Sequence, residues 1–267
     1  MPAAVIEATR RDRTDTKVRH AISVVVPVLN EAENVDALIG EIVAAAASSP
    51  IREIIYVDDG STDDTLSRLY SLMDEVPMLR VVHHDRPLGQ SAAFLSGARA
   101  AKQEILVFMD GDLQNDPADI ALLLQRYRAA SHTSGRKVAV LGQRAKRNDS
   151  GLRRISSRLA NKLRAAVLDD GTRDTGCSLK MIRREDYLAL PYFDHMHRFL
   201  PAMLLRNGVE LAHVQVSHRA RIHGRSKYGF WNRALVGAVD LAGAAWLIRR
   251  KLPSDYQPHE ITRAEPQ

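Results

Sequence analysis

The chain has 267 residues, 38 basic and 32 acidic, for a formal net charge of +6. Apolar residues make up 45% and charged residues 26%, ordinary values for a globular protein long enough to bury a sizeable core. The single cysteine, Cys177, excludes an internal disulfide framework and a multi-cysteine metal site.

Residues 1–20 are polar, mixed in charge and aperiodic, and read as a disordered arm. They lack the apolar core of a signal peptide. Ile22, Val24, Val25, Val26 and Val28 then form a near-continuous apolar run, which predicts a strand buried on both faces. Asn30 and Glu33 stand at capping-box spacing. Val35, Leu38, Ile39, Ile42 and Val43 follow at helical spacing. The alternation repeats. Ile54 to Val57 reads as a strand, and Ser61 with Asp64 caps a helix carrying Leu66, Leu69 and Leu72. Leu79 to Val82 reads as a strand, Leu88 to Ala101 as an Ala-rich helix and Ile105 to Met109 as another buried strand. Asp116-Pro117 opens a further helix, with proline at its first position. This alternation predicts an α/β fold, an open and mostly parallel sheet with helices on both faces.

Val138 to Leu141 predicts one more strand. From Arg136 to Arg164 the chain then carries ten Lys/Arg and one acid, a local excess of +9 that exceeds the net charge of the whole chain. Residues 172–183 and 209–218 read as strands around a helix near His195 to Arg206. A basic loop from Arg219 to Lys227 precedes an apolar helix over residues 231–251, with a polar tail read as disordered over 252–267. Between Ala234 and Ile248 there are 15 residues without Lys, Arg or Glu, and Asp240 interrupts them. A spanning helix needs about 20 apolar residues, so a cytoplasmic, peripherally attached protein is expected.

Acidic residues collect where an α/β sheet binds ligands, at the carboxyl ends of strands. Five acids and no base lie between Glu53 and Asp64, and again between Glu104 and Asp119. Turn and cap chemistry accounts for Asp116 and Asp64. It does not account for Asp110 and Asp112, spaced i, i+2 straight after a buried strand. Crowding two carboxylates there is costly unless a cation lies between them. An EF-hand loop starting at Asp110 needs Gly at 115 and Glu at 121, and Asn115 and Ala121 stand there. The first strand is followed by Asn30-Glu31, with neither G-x-G-x-x-G nor a P-loop. His195-Met-His197 lacks a third ligand at suitable spacing, and Cys177 reads as a packed thiol. Trp231 and Trp246 suit a membrane surface, a homo-oligomer interface or core packing equally.

Four segments carry a resemblance: V-V-V-P-V-L-N-E-A-E-N (24–34), V-D-D-G-S-T-D-D-T (57–65), R-P-L-G-Q-S-A-A (86–93) and M-D-G-D-L-Q-N-D-P (109–117). Their order and spacing resemble glycosyltransferase family 2, with a GT-A domain over residues 21–230. R-I-H-G-R-S-K-Y (221–228) is similar to the polyprenyl-phosphate glycosyltransferases, the group containing dolichol-phosphate mannose synthase. The resemblance implies inverting transfer from a UDP- or GDP-linked sugar to a polyprenyl phosphate, dependent on Mg²⁺ or Mn²⁺. It implies Asp110, Asp112 and Gln114 as metal ligands. Pro27, Asn30, Glu31, Asp58 and Asp59 would line the base and ribose pocket. Arg221, Ser226 and Lys227 would bind the donor's diphosphate. Arg144, Arg153, Arg154 and Ser156 would hold the acceptor phosphate, with Asp174 beside the reaction centre. The basic stretch also fits an anionic membrane surface or a solvated helix face.

Processive synthases of the superfamily carry Q-x-x-R-W, which is absent here. A family 2 enzyme with a soluble or cell-envelope saccharide acceptor stays open. A nucleic-acid-binding module using residues 136–164 is the alternative of another class. That stretch has no aromatic residue for base stacking, so nucleic acid is not the expected partner.

Overall fold

A computed structural model of the chain describes residues 20–144, 168, 170–172, 174–220 and 230–250. The N-terminal arm, most of the basic stretch and the tail lie outside the described residues. Seven strands are present: β1 (Ile22–Val28), β2 (Ile51–Asp58), β3 (Leu79–His83), β4 (Ile105–Phe108), β5 (Val138–Arg144), β6 (Lys180–Arg183) and β7 (Glu210–Val216). The helices are α1 (Ala32–Ala45), α2 (Thr65–Glu75), α3 (Gln90–Ala100), α4 (Ile120–Ser134), α5 (Arg184–Leu188), α6 (Leu200–Arg206) and α7 (Phe230–Arg249).

The strands form one sheet in the order β3-β2-β1-β4-β6-β5-β7. β1 pairs in parallel with β2 and β4, and β2 with β3. β6 runs antiparallel between β4 and β5, and β5 is parallel to β7. Every parallel strand therefore ends at one edge of the sheet, and β6 begins there. The chain moves outward from β1 through β2 to β3, then returns to place β4 on the other side of β1. The divergence at β1 and β4 opens a crevice at that edge.

Period-two alternation divides the core between the two faces. Val24 and Val26 pack with Leu38, Ile42, Leu69 and Leu123 under α1, α2 and α4. Val25 packs with Phe94, Phe108, Tyr187 and Met203 on the face of α3, α5 and α6, where Ala244 of α7 also packs. Each such buried aliphatic side chain contributes roughly 1.5–3 kcal/mol of transfer free energy. Burial on both faces is why β1 reads as an unbroken apolar run.

Three local expectations are corrected. Asn30 and Glu33 form no capping box. Glu31 is the N-cap of α1 and makes no side-chain cap bond, while Asn30 takes a left-handed φ of 54°. Ser61 and Asp64 do not cap α2 through their side chains. Asp63 accepts from the Thr65 N–H instead. The strand expected over 172–183 is confined to Lys180–Arg183, because the residues before it form a polar loop. Asp116 does cap, accepting from the Ala118 N–H at 3.0 Å, and a 3₁₀ turn over Pro117–Asp119 leads into α4. Among the described residues no helix is long and apolar enough to cross a membrane.

Candidate active site

Loops leaving β1 and β2 brace each other at the crevice. Backbone N–H groups of Asn30 and Glu31 donate to Ser61 Oγ (2.8 Å) and Thr65 Oγ1 (2.9 Å). The Thr62 N–H donates to Asn30 Oδ1 at 2.7 Å. The left-handed turn at Asn30 thus aims its carboxamide across the gap. Half-buried Pro27 pairs with Val57 just below. Gly60, at φ 77°, lies against the Arg86 backbone, and a Cβ there would stand 2.7 Å from the Arg86 carbonyl carbon.

The two adjacent aspartates have different surroundings. Asp59 accepts from the backbone N–H groups of Leu88 (2.9 Å) and Gly89 (2.8 Å) and from His84 Nδ1 (2.8 Å), whose Nε2 lies 2.9 Å from Ser96 Oγ. It anchors the turn that starts α3. Asp58 is fully buried. Its Oδ2 lies 2.8 Å from His83 Nδ1 and accepts from the Ser61 N–H, while its Oδ1 is buried with no hydrogen-bond partner among the described residues. Such an unmet acceptor costs about 1–3 kcal/mol.

Asp110 and Asp112 stand just beyond β4 on a tight loop. A Cβ on Gly111 would come 2.4 Å from Val28 Cγ1, so only glycine lets this loop lie on β1. Gln90 Nε2, at the start of α3, donates to Asp110 Oδ1 at 2.8 Å. Asp112 is buried and accepts from the Gln114 N–H. Buried Asn115 accepts from Ser178 Oγ at 2.7 Å, tying this loop to the one before β6. On the other side Gln114 accepts from the Arg219 N–H at 3.0 Å. The Arg219 guanidinium reaches Glu41 and Asp116, both at 2.7 Å.

The two carboxylates of Asp110 and Asp112 and the carboxamide of Gln114 would together supply only oxygen donors. That suits a hard divalent cation whose shell is completed by phosphate oxygens and water. Among the described residues no group of three or more His, Cys, Asp or Glu is placed to hold a metal.

Across the crevice Arg144 ends β5. Its Nε and Nη2 donate to the two carboxylate oxygens of Asp174, each at 2.7 Å. This fork fixes the guanidinium plane. Burial pushes the Cys177 thiol up, which fits a packed, unreactive group. The rings of His195 and His197 lie 6.5 Å apart and have different partners. His195 Nδ1 lies 3.0 Å from Asp240 of α7, and His197 Nδ1 lies 2.7 Å from Ser91 Oγ.

Asn30, Glu31, Asp58, Asp59, Asp110, Asp112, Gln114, Arg144 and Asp174 thus gather at one edge of the sheet. Arg153, Arg154, Ser156, Arg221, Ser226 and Lys227 lie outside the described residues. Gln90, Asn115, Lys180 and Arg219 belong to the site's structure but were not singled out from sequence. Lys180 had a legible signal, a charge set between Leu179 and Met181 in an apolar strand.

Comparison with known proteins agrees with the fold. The family model described as Glycosyl transferase family 2 matches residues 23–190. A dodecaprenyl-phosphate galacturonate synthase of Rhizobium johnstonii is 37% identical over 238 residues, 86% of this chain and 68% of that protein. An undecaprenyl-phosphate 4-deoxy-4-formamido-L-arabinose transferase of Aeromonas hydrophila is 31% identical over 221 residues, 82% of this chain and 65% of that protein. The chain thus spans about two thirds of the length of these curated relatives. Glucosyl-3-phosphoglycerate synthase of Mycobacterium tuberculosis, solved with Mn²⁺, UDP and glucosyl-3-phosphoglycerate, superposes with a TM-score of 0.63 at 21% identity. The match covers 90% of this chain and 84% of that one, and shows a shared GT-A fold. With its mixed sheet, acidic crevice and family match over residues 23–190, the chain belongs to glycosyltransferase family 2.

Proposed function

We propose that the chain transfers a sugar, with inversion, from a UDP- or GDP-linked donor to a polyprenyl phosphate at an anionic membrane surface. The observation that carries this reading is the 37% identity, over 86% of the chain, to a relative named as a dodecaprenyl-phosphate sugar synthase. The site chemistry supports it. Asp110, Asp112 and Gln114 would hold Mg²⁺ or Mn²⁺, which when bound neutralises the donor's diphosphate as it leaves. Asp58 keeps a buried acceptor suited to a nucleobase N–H, whereas Asp59 is engaged in holding the turn before α3. Pro27, Asn30 and Glu31 line the same recess. Arg221, Ser226 and Lys227 supply donors for the diphosphate oxygens.

The acceptor phosphate is an anion at neutral pH. One of its oxygens attacks the anomeric carbon as the bond to the diphosphate breaks, so no strong base is required. A basic cradle is required, and Arg144, oriented by Asp174, contributes to it together with Arg153, Arg154 and Ser156.

The test incubates the full chain with UDP- and GDP-sugars and Mg²⁺ or Mn²⁺, with and without undecaprenyl phosphate, and measures sugar in the lipid extract. Lipid-linked sugar is expected only with divalent cation. Asp112→Asn should lower it about 100-fold or more while preserving the fold. Undiminished transfer in EDTA would overturn the metal assignment. Transfer to a soluble acceptor and to no polyprenyl phosphate would overturn the lipid assignment and leave the family intact.

A further inference from the structure

Lys180 is a buried cation to which the mechanism above gives no task. It is the first residue of β6, paired with Phe108 of β4 on one side and Leu141 of β5 on the other. It lies at the middle of the sheet, at the edge where the acidic loops meet. Only 6% of its surface is exposed, against the usual solvation of lysine. Its Nζ donates to the carbonyl of Cys177, inside the loop that carries Asp174. The charges that act on it are those of Asp110, Asp174, Arg144 and the Cys177 thiol, and Asp110 lies two residues beyond its β4 partner Phe108. Burial pulls the ammonium below the usual lysine range, and the two aspartates oppose that shift.

As an ammonium, Lys180 offsets carboxylate charge whether or not a ligand is present. With it, the pair Asp110 and Asp112 attracts a divalent cation less strongly, and the crevice favours an incoming anion more. We propose that Lys180 is a positioning residue, the resident counter-cation of the acidic site, which makes divalent cation and diphosphate bind as a unit. It weakens binding of the metal alone and strengthens binding of the metal-loaded diphosphate. This inference rests on the proposed metal site at Asp110 and Asp112.

Its test is direct binding to the full chain at neutral pH. Mn²⁺ alone is titrated and free Mn²⁺ is read by electron paramagnetic resonance. UDP is then titrated calorimetrically at saturating Mn²⁺. Lys180→Met should bind Mn²⁺ alone about tenfold more tightly, and UDP with Mn²⁺ about tenfold more weakly, as removal of one nearby charge requires. Lys180→Arg, which keeps the charge, should restore both values toward wild type. Lys180→Gln carries the same expectation as Lys180→Met if the latter does not fold. Both affinities within twofold of wild type in a folded neutral variant would overturn the proposal, leaving Lys180 a packing residue. UDP binding to the wild type that is equally tight with and without Mn²⁺ would overturn the metal site itself, and this inference with it.

Discussion

His197 is half-buried on the turn before α6, against Ser91 at the start of α3. Desolvation, with help from the charges of Arg198, Lys180 and His195, lowers its imidazole to about 3, so it is neutral at physiological pH. An unfolded histidine titrates near 6.5. Between about 6.5 and about 3 the unfolded chain therefore binds a proton here that the folded chain does not. Stability is fully present above that window and is lost as pH falls through it. Urea midpoints at pH 7 and pH 5 should fall further for wild type than for His197→Gln. Equal losses in the two proteins would show that His197 is not the residue responsible. Lys180, His197 and Ser91 were invisible as a group in the sequence, because residues 91, 180 and 197 meet only after β4 and β6 pair. Asp110 and Asp112 were legible because their spacing directly after a buried strand is itself the chemical anomaly.

At the scale of elements, Glu53 is the buried polar junction of the parallel half of the sheet. From β2 it accepts from Ser23 Oγ of β1 (2.6 Å), from Arg80 of β3 (2.7 Å) and from the backbone N–H groups of Lys102 and Gln103 before β4. Burial raises its pKa, but these hydrogen bonds and the Arg80 charge outweigh burial and leave it below the ordinary 4.5. Its contribution is present above pH 4.5 and is lost as pH falls through its lowered folded value. Glu53→Gln should cost about 1–3 kcal/mol at pH 7, because donors aimed at a carboxylate would face an amide. The gap from wild type in denaturant unfolding should narrow near pH 4. A gap of equal size at both pH values would rule out the carboxylate charge as its source. Strands and most helices were readable from apolar periodicity. The caps of α1 and α2 were not, because Asn30 and Ser61 spend their side chains on the loop-to-loop brace, a tertiary demand that local spacing does not encode. The loop before β6 looked like strand for a similar reason: Cys177 and Leu179 are buried without being part of a strand.

At the scale of the whole molecule, a pI near 9.6 reflects 38 basic against 32 acidic residues. Arg249 and Arg250 are exposed at the end of α7, where the Arg250 guanidinium lies 5.6 Å from the ring centre of Trp246, itself 59% exposed. If an anionic surface is the partner, each basic group near it is worth about 1 kcal/mol, and salt must screen that attraction. Co-sedimentation with anionic vesicles should therefore be strong at low salt and weak at high salt, and neutral vesicles should leave the protein in the supernatant. Binding indifferent to lipid charge and salt would refute electrostatic attachment.

The antiparallel β6 has a consequence for the way the chain is made. β1 to β4 can pair as soon as residue 108 has been synthesised, yet β4 then forms the open rim of a four-stranded sheet. Its second neighbour is encoded about seventy residues later, at Lys180–Arg183. Until then Ile105–Phe108, wholly apolar, presents unpaired backbone donors and acceptors on a nascent polypeptide. Some seventy further residues must therefore leave the ribosome before that rim is sealed. The strand that completes the catalytic edge is thus also the one whose arrival ends the period of greatest exposure to aggregation.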